Sequence, residues 1–142
     1  MIFIDSNMWC YFFDESAREN KKVVEFVKRI LEKEEVAINT AVITEIAHFL
    51  IKNLGPVNGK KKIETFLEFP LVVRDVTYAD TKDSIELLCQ YAHEGIGGRD
   101  ATLLSSMKKL GIQRIATHDA AFKKVEWADV IDPIQNNNSK EH

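Results

Sequence analysis

The sequence predicts an α/β fold: three α/β/α layers around a central, mainly parallel sheet of four to five strands. Three observations carry this. Short strand-like runs at 2–4, 36–38, 71–73 and 112–117 have the length and apolar content of strands buried in a sheet. Segments of helical periodicity separate them, and such alternation favours parallel strands with helices on both faces. The chain has 142 residues, which suits one core of ordinary size.

Taken in order, Ile2-Phe3-Ile4 is a continuous apolar run that turns polar at Asp5-Ser6-Asn7, so Asp5 is a strand-end residue. From Arg18 to Glu34 the residues Val23, Val24, Phe26, Val27, Ile30 and Leu31 recur at helical spacing, with Lys and Glu opposite. Val36-Ala37-Ile38 forms the next strand. Asn39-Thr40 then caps a helix carrying Val42, Ile43, Ile46, Phe49, Leu50 and Leu54, and Gly55-Pro56 stops it. A shorter helix opens at Asn58 and runs through Phe66, Leu67 and Phe69.

Pro70 precedes a third strand, Leu71-Val72-Val73. Thr77 or Thr81 caps a helix with Ile85, Leu87, Leu88, Tyr91 and Ala92 inward, ending at Gly95. Ile96-Gly97-Gly98-Arg99 is expected as a flexible loop before a helix from about Asp100 to Leu110, closed by Gly111. Ile112 to Thr117 is a fourth strand, and Val130-Ile131 a short edge strand before Pro133. A single domain over 1–134 and a loose polar tail over 135–142 complete the expected organisation.

Composition narrows the function. With 45% hydrophobic and 29% charged residues, disorder, collagen and disulfide scaffolds are excluded. Net charge is -3, so nucleic acid would have to be held by a local patch or a bound cation. Cys10 and Cys89 are far apart and belong to no C-x-x-C pair; both are expected as buried free thiols. The acid at position 5 and the lack of a long apolar run argue against a signal peptide or membrane span, which implies a cytoplasmic protein.

Four acids interrupt the apolar pattern instead of joining the solvent faces. Asp5 and Asp119 follow buried-type strands; Asp100 precedes Leu103, Leu104 and Met107 at i+3, i+4 and i+7; Glu45 lies between Val42 and Phe49. As isolated residues they can be caps or turn formers. Clustered, they would raise one another's pKa values unless a cation compensated. Mg²⁺ or Mn²⁺ suits such oxygen donors, and the chemistry these ions support is phosphodiester hydrolysis.

The ordered motifs Ile2-Phe3-Ile4-Asp5-Ser6-Asn7, Thr44-Glu45-Ile46, Arg99-Asp100-Ala101 and Ile115-Ala116-Thr117-His118-Asp119-Ala120-Ala121-Phe122 resemble those of PIN-domain nucleases across nearly the whole chain. The subgroup they are most similar to is the prokaryotic toxin-like (VapC-type) PIN proteins of toxin-antitoxin pairs. The resemblance implies a metal-dependent ribonuclease in which Asp5, Glu45, Asp100 and Asp119 hold Mg²⁺ or Mn²⁺, with Asn7 and Thr117 orienting carboxylate, water or phosphate. It also implies RNA as substrate, an antitoxin protein as partner and a homodimer.

For RNA contacts Arg99 is the best-placed cation, ahead of Lys60 to Lys62, Lys108-Lys109 and Lys123-Lys124. Trp9, Tyr11, Phe12 and Phe13 either stack bases, bind a partner or belong to core or dimer surface. His118 is expected to be merely exposed. A haloacid-dehalogenase-like phosphatase would need an acid where Asn7 stands, and a di-iron protein would need a second copy of Glu45-x-x-His48. The remaining alternative is a non-catalytic PIN-like module binding RNA or protein.

Overall fold

A computed structural model describes residues 1–135. The tail expected at 135–142 lies, apart from Gln135, outside the described residues. The apolar run at the N-terminus becomes β1 (Ile2–Ile4), fully buried, with β2 (Val36–Asn39) on one side and β4 (Arg114–Ala116) on the other. The sheet order is β3-β2-β1-β4-β5, with β3 at Leu71–Arg74 and β5 at Asp129–Ile131. All four pairings are parallel. Register places Phe3 between Ala37 and Ile115.

This order has a direct consequence. From β1 the chain winds outward to β2 and β3, then returns to the far side of β1 for β4. The crossovers therefore diverge at the carboxyl ends of β1 and β4, and a crevice opens there. The helices fall into two groups. α1 (Ser6–Phe13), α2 (Asn20–Lys33) and α3 (Thr40–Leu67) pack together, while α4 (Tyr78–Gln90) pairs with α5 (Gly98–Leu110), giving the expected three layers.

Each helix has a local cause. α2 buries Val23, Phe26, Val27 and Ile30, a stripe at i, i+3, i+4 and i+7. α3 starts where the Asn39 side chain accepts from the Val42 amide at 2.9 Å. Its run is interrupted at Gly55, whose φ of +82° is left-handed, and Pro56 begins the second half. That second half folds back so tightly that a Cβ on Gly59 would stand 2.6 Å from the Ile51 Cα. The expected stop at Gly55-Pro56 is thus a kink between two helical segments. α4 begins in a capping box in which Thr77 accepts from the Asp80 amide and the Asp80 carboxylate accepts from the Thr77 amide.

Several expectations are corrected. α1 occupies residues read as a turn and an aromatic stretch: Trp9 is buried, its indole donates to the Ile4 carbonyl, Phe12, Phe66 and Phe69 lie against it, and Phe13 packs on those three rings. These rings are therefore core and core margin. Along α4 and its C-cap Tyr91 the inward stripe is Asp80, Ser84, Leu87 and Tyr91, which leaves Ile85, Cys89 and Ala92 facing solvent. Cys10 is only half-buried. Leu54 is also exposed, since it sits at the kink. Gly98 and Arg99, expected in a loop, already form the first turn of α5. Among the described residues no helix is long and apolar enough to cross a membrane.

Candidate active site

Around the crevice at the ends of β1 and β4, the sequence-distant acids are linked through the side chains of Ser6, Thr117 and Arg99. Asp5 leaves β1 as the cap of α1: its Oδ1 accepts from the Ser6 amide at 2.7 Å. Its Oδ2 accepts from the Thr117 hydroxyl at 2.8 Å, one residue beyond β4. That same Thr117 Oγ1 accepts from the Asp119 amide at 3.0 Å and from Asn7 Nδ2 at 3.3 Å. A single hydroxyl therefore ties together Asp5, Asn7 and the backbone of Asp119. The Asp119 carboxylate in turn accepts from the Ala121 amide at 2.9 Å, which opens the short 3₁₀ turn Ala120–Lys124.

Glu45 reaches the same place from the first half of α3, beside buried Val42 and Ile46. Ser6 Oγ lies 3.1 Å from Glu45 Oε2 and 3.3 Å from Asp5 Oδ1, so its one proton is shared between two carboxylates. Asp100 arrives from the first turn of α5, where Oδ2 accepts from the Gly97 amide at 3.0 Å. Its other oxygen, Oδ1, is buried and has no hydrogen-bond donor; Glu45 Oε1 is in the same condition.

Such groups are costly without a cation. Burial raises the Asp5 pKa from its usual 3.8 to about 6; Thr117, the Ser6 amide and Arg99 work in the other direction, and Asp100 adds to the rise. Burial also raises Asp100, with the Gly97 amide opposing and the charge of Asp119 adding. The Cys10 thiol, beside them, is pushed up to about 12 by burial and by the fields of Glu45 and Asp5. The charge of Asp100 thus reaches Asp5, and that of Asp119 reaches Asp100.

The cation that does stand here is Arg99. Its Nη1 is 2.6 Å from Glu45 Oε2, and its Nη2 is 3.9 Å from Asp100 Oδ1. Burial works against its charge, but Glu45 and then Asp5 and Asp100 hold its pKa above the usual value. Arg99 is therefore engaged with acids, not projecting free. Among the described residues no three His, Cys, Asp or Glu side chains already close around a metal position. The donor chemistry nevertheless suits a hard ion: carboxylate oxygens only, two of them buried and unpaired. Beside the acids a cleft of about 360 Å³ is lined by Ser6, Asn7, Tyr11, Glu45, Phe49 and Arg99 among others.

Two features were not foreseen from sequence. Ser6 bridges Asp5 and Glu45, although only its position next to Asp5 hinted at that. His118 is not merely exposed: its Nδ1 lies 2.8 Å from Asp132 Oδ2, and Asp132 is buried and accepts from the amides of Ile134 and Gln135. No spacing rule links 118 to 132. The lysines at 60, 109 and 124 pair with Glu64, Asp83 and Glu94 on the outer surface.

Comparison with known proteins supports the fold and gives the family. The family model described as PIN domain matches residues 2–128. No curated protein matches. Among solved structures, the chain is similar to VapC20 of Mycobacterium tuberculosis, a sarcin-ricin loop cleaving toxin, with a TM-score of 0.74 and 21% identity over 88% of this chain and 95% of that one. It is similar to FitAcB from Neisseria gonorrhoeae, with a TM-score of 0.71 and 17% identity over 94% and 98%. It is also similar to VapBC2 from Rickettsia felis bound to a DNA fragment from their promoter, with a TM-score of 0.73 and 19% identity over 92% and 98%. At these identities the structures speak for the fold, and the family model, spanning both Asp5 and Asp119, speaks for the lineage: the chain belongs to the PIN domain family.

Proposed function

We propose that this chain is an Mg²⁺- or Mn²⁺-dependent endoribonuclease, the toxin of a toxin-antitoxin pair. The observation that carries the proposal is the pair of buried, unpaired oxygens, Glu45 Oε1 and Asp100 Oδ1, in a crevice shared with Asp5 and Asp119. Carboxylate oxygens desolvated without a donor are groups that a hard divalent cation would satisfy. The toxin assignment draws on the similarity to VapC20, described as a sarcin-ricin loop cleaving toxin, and to a toxin-antitoxin complex from Klebsiella pneumoniae. The same likeness suggests an antitoxin partner, and family membership suggests a homodimer.

In this reading Asp5, Glu45, Asp100 and Asp119 hold the ion. When bound, a divalent ion supplies Lewis acidity and lowers the pKa of water, so that no side-chain nucleophile is needed. The chain's own residues set the geometry. Thr117 and the Ser6 amide fix both oxygens of Asp5, and Thr117 fixes the backbone of Asp119. Asn7, at the cleft lining, presents an amide that can orient water or phosphate. Arg99 brings a guanidinium to the same cleft, where a phosphate matches its donors.

The test compares wild type with Asp100→Asn on single-stranded RNA in Mg²⁺, Mn²⁺ or chelator. Wild type should cleave only with metal, and the variant should stay folded and lose cleavage. Equal cleavage by both proteins, or cleavage undiminished by chelator, refutes the mechanism. RNA binding without turnover under every condition would instead indicate the non-catalytic module.

A further inference from the structure

We propose that Arg99 is a displaceable internal cation: it neutralises Glu45 and Asp100 while the site is metal-free, and a divalent ion entering between them releases its guanidinium into the cleft for the RNA phosphate. The inference rests on the metal-dependent reading above and adds an exchange of cations to it.

Three observations support the exchange. First, Arg99 neutralises these acids without satisfying them. It makes one hydrogen bond to Glu45 Oε2, not the two-pronged grip a guanidinium can offer, and its approach to Asp100 Oδ1 is 3.9 Å, too long for a hydrogen bond. Glu45 Oε1 and Asp100 Oδ1 stay unpaired. A smaller ion of twice the charge, with coordination positions to fill, serves both carboxylates better.

Second, Arg99 is free to leave. Its side chain is 53% exposed, and it stands in the first turn of α5 behind Gly97 and Gly98. With that exposure, the guanidinium can turn away from Glu45 without displacing a buried side chain.

Third, its destination is set. Arg99 lines the same cleft as Asn7 and Tyr11, so a guanidinium released from Glu45 remains at the rim. There its matching ligand is a phosphate. A metal at Glu45 Oε1 and Asp100 Oδ1 would place its charge beside the guanidinium on Glu45 Oε2, so the two cations repel at one carboxylate, and by linkage the removal of Arg99 must tighten metal binding.

The experiment is a calorimetric titration of Mn²⁺ into the metal-free full chain at neutral pH, for wild type, Arg99→Gln and Arg99→Lys. Arg99→Gln should bind Mn²⁺ about 10-fold more tightly, equivalent to ~1.4 kcal/mol, and Arg99→Lys should stay near wild type. Fluorescence anisotropy with a 2′-O-methyl RNA oligonucleotide, which resists cleavage, supplies the second readout. Wild type should gain RNA affinity several-fold on adding Mn²⁺, and Arg99→Gln should gain less. Mn²⁺ affinity in Arg99→Gln equal to or weaker than in wild type overturns the exchange and makes the pair a plain link between α3 and α5, leaving the metal reading intact. Absence of Mn²⁺ binding in both proteins overturns the exchange and the metal reading together.

Discussion

Replacing Asp5 by Asn should stabilise the metal-free protein at pH 8. Asp5 is 1% exposed, and the rise of its pKa from 3.8 to about 6 means that the fold disfavours the carboxylate relative to the unfolded chain. At 1.36 kcal/mol per pKa unit, the charged form is disfavoured by ~3 kcal/mol. The sign follows from linkage. Because the folded pKa lies above the unfolded one, the native state holds the extra proton between about 4 and 6; the stabilisation it brings is complete below the unfolded pKa and is lost as pH rises through about 6. Asn has the same shape and no charge. Its carbonyl can keep the bond from the Ser6 amide, but its NH₂ faces a Thr117 oxygen that already accepts twice, which costs about 1 kcal/mol. The net expectation is a gain of ~1–2 kcal/mol at pH 8, shrinking or reversing at pH 4. Urea unfolding in EDTA at the two pH values measures it. A variant destabilised by more than ~1 kcal/mol at pH 8 would refute the reasoning and make Asp5 an ordinary helix cap.

Three further outcomes follow from the same structure. Thr117→Val should destabilise by ~2–3 kcal/mol, because Asp5 loses a donor and the Asp119 amide an acceptor; urea unfolding should show a larger loss at pH 8 than at pH 5, where Asp5 is more protonated. Gly59→Ala should destabilise by ~1–3 kcal/mol although Ala is the better helix former, since its Cβ meets the Ile51 backbone; a higher melting temperature would contradict the kink packing. Asp80→Asn should cost ~2–3 kcal/mol at pH 7, less than for a fully buried pair because Arg74 is part-exposed. The Arg74 hydrogen bond holds the Asp80 pKa below its usual value, so that stability is present above about pH 4 and is lost on acidification; the gap between variant and wild type should close below pH 4.

Much of this arrangement was legible in the sequence. Ile2-Phe3-Ile4 ends abruptly at Asp5, and a strand buried on both faces leaves no other reason for that pattern. The apolar spacing around Asp100 turned its side chain inward, and the end of β4 fixed the neighbourhood of Thr117 and Asp119. What could not be read has physical causes. α1 is apolar almost all round, with Met8 through Phe13 forming no stripe, so periodicity gave no sign of a helix. Gly97 and Gly98 suggest flexibility, yet the Asp100 carboxylate accepting from the Gly97 amide draws them onto the helix start. Thr77 was one of two expected caps, but nothing local announced that its partner Asp80 would also be held by Arg74. Side-chain pairs across the fold, such as Arg99 with Glu45 and His118 with Asp132, depend on tertiary geometry that one sequence does not encode locally.

The most direct measurement is Mn²⁺ affinity, by calorimetry at pH 7, for the four single variants Asp5→Asn, Glu45→Gln, Asp100→Asn and Asp119→Asn. Residues from β1, α3, α5 and the end of β4 that share one ion should each weaken the same binding event by ~10-fold or more when altered. Affinity unchanged in two or more of these variants would mean that the acids do not form one centre.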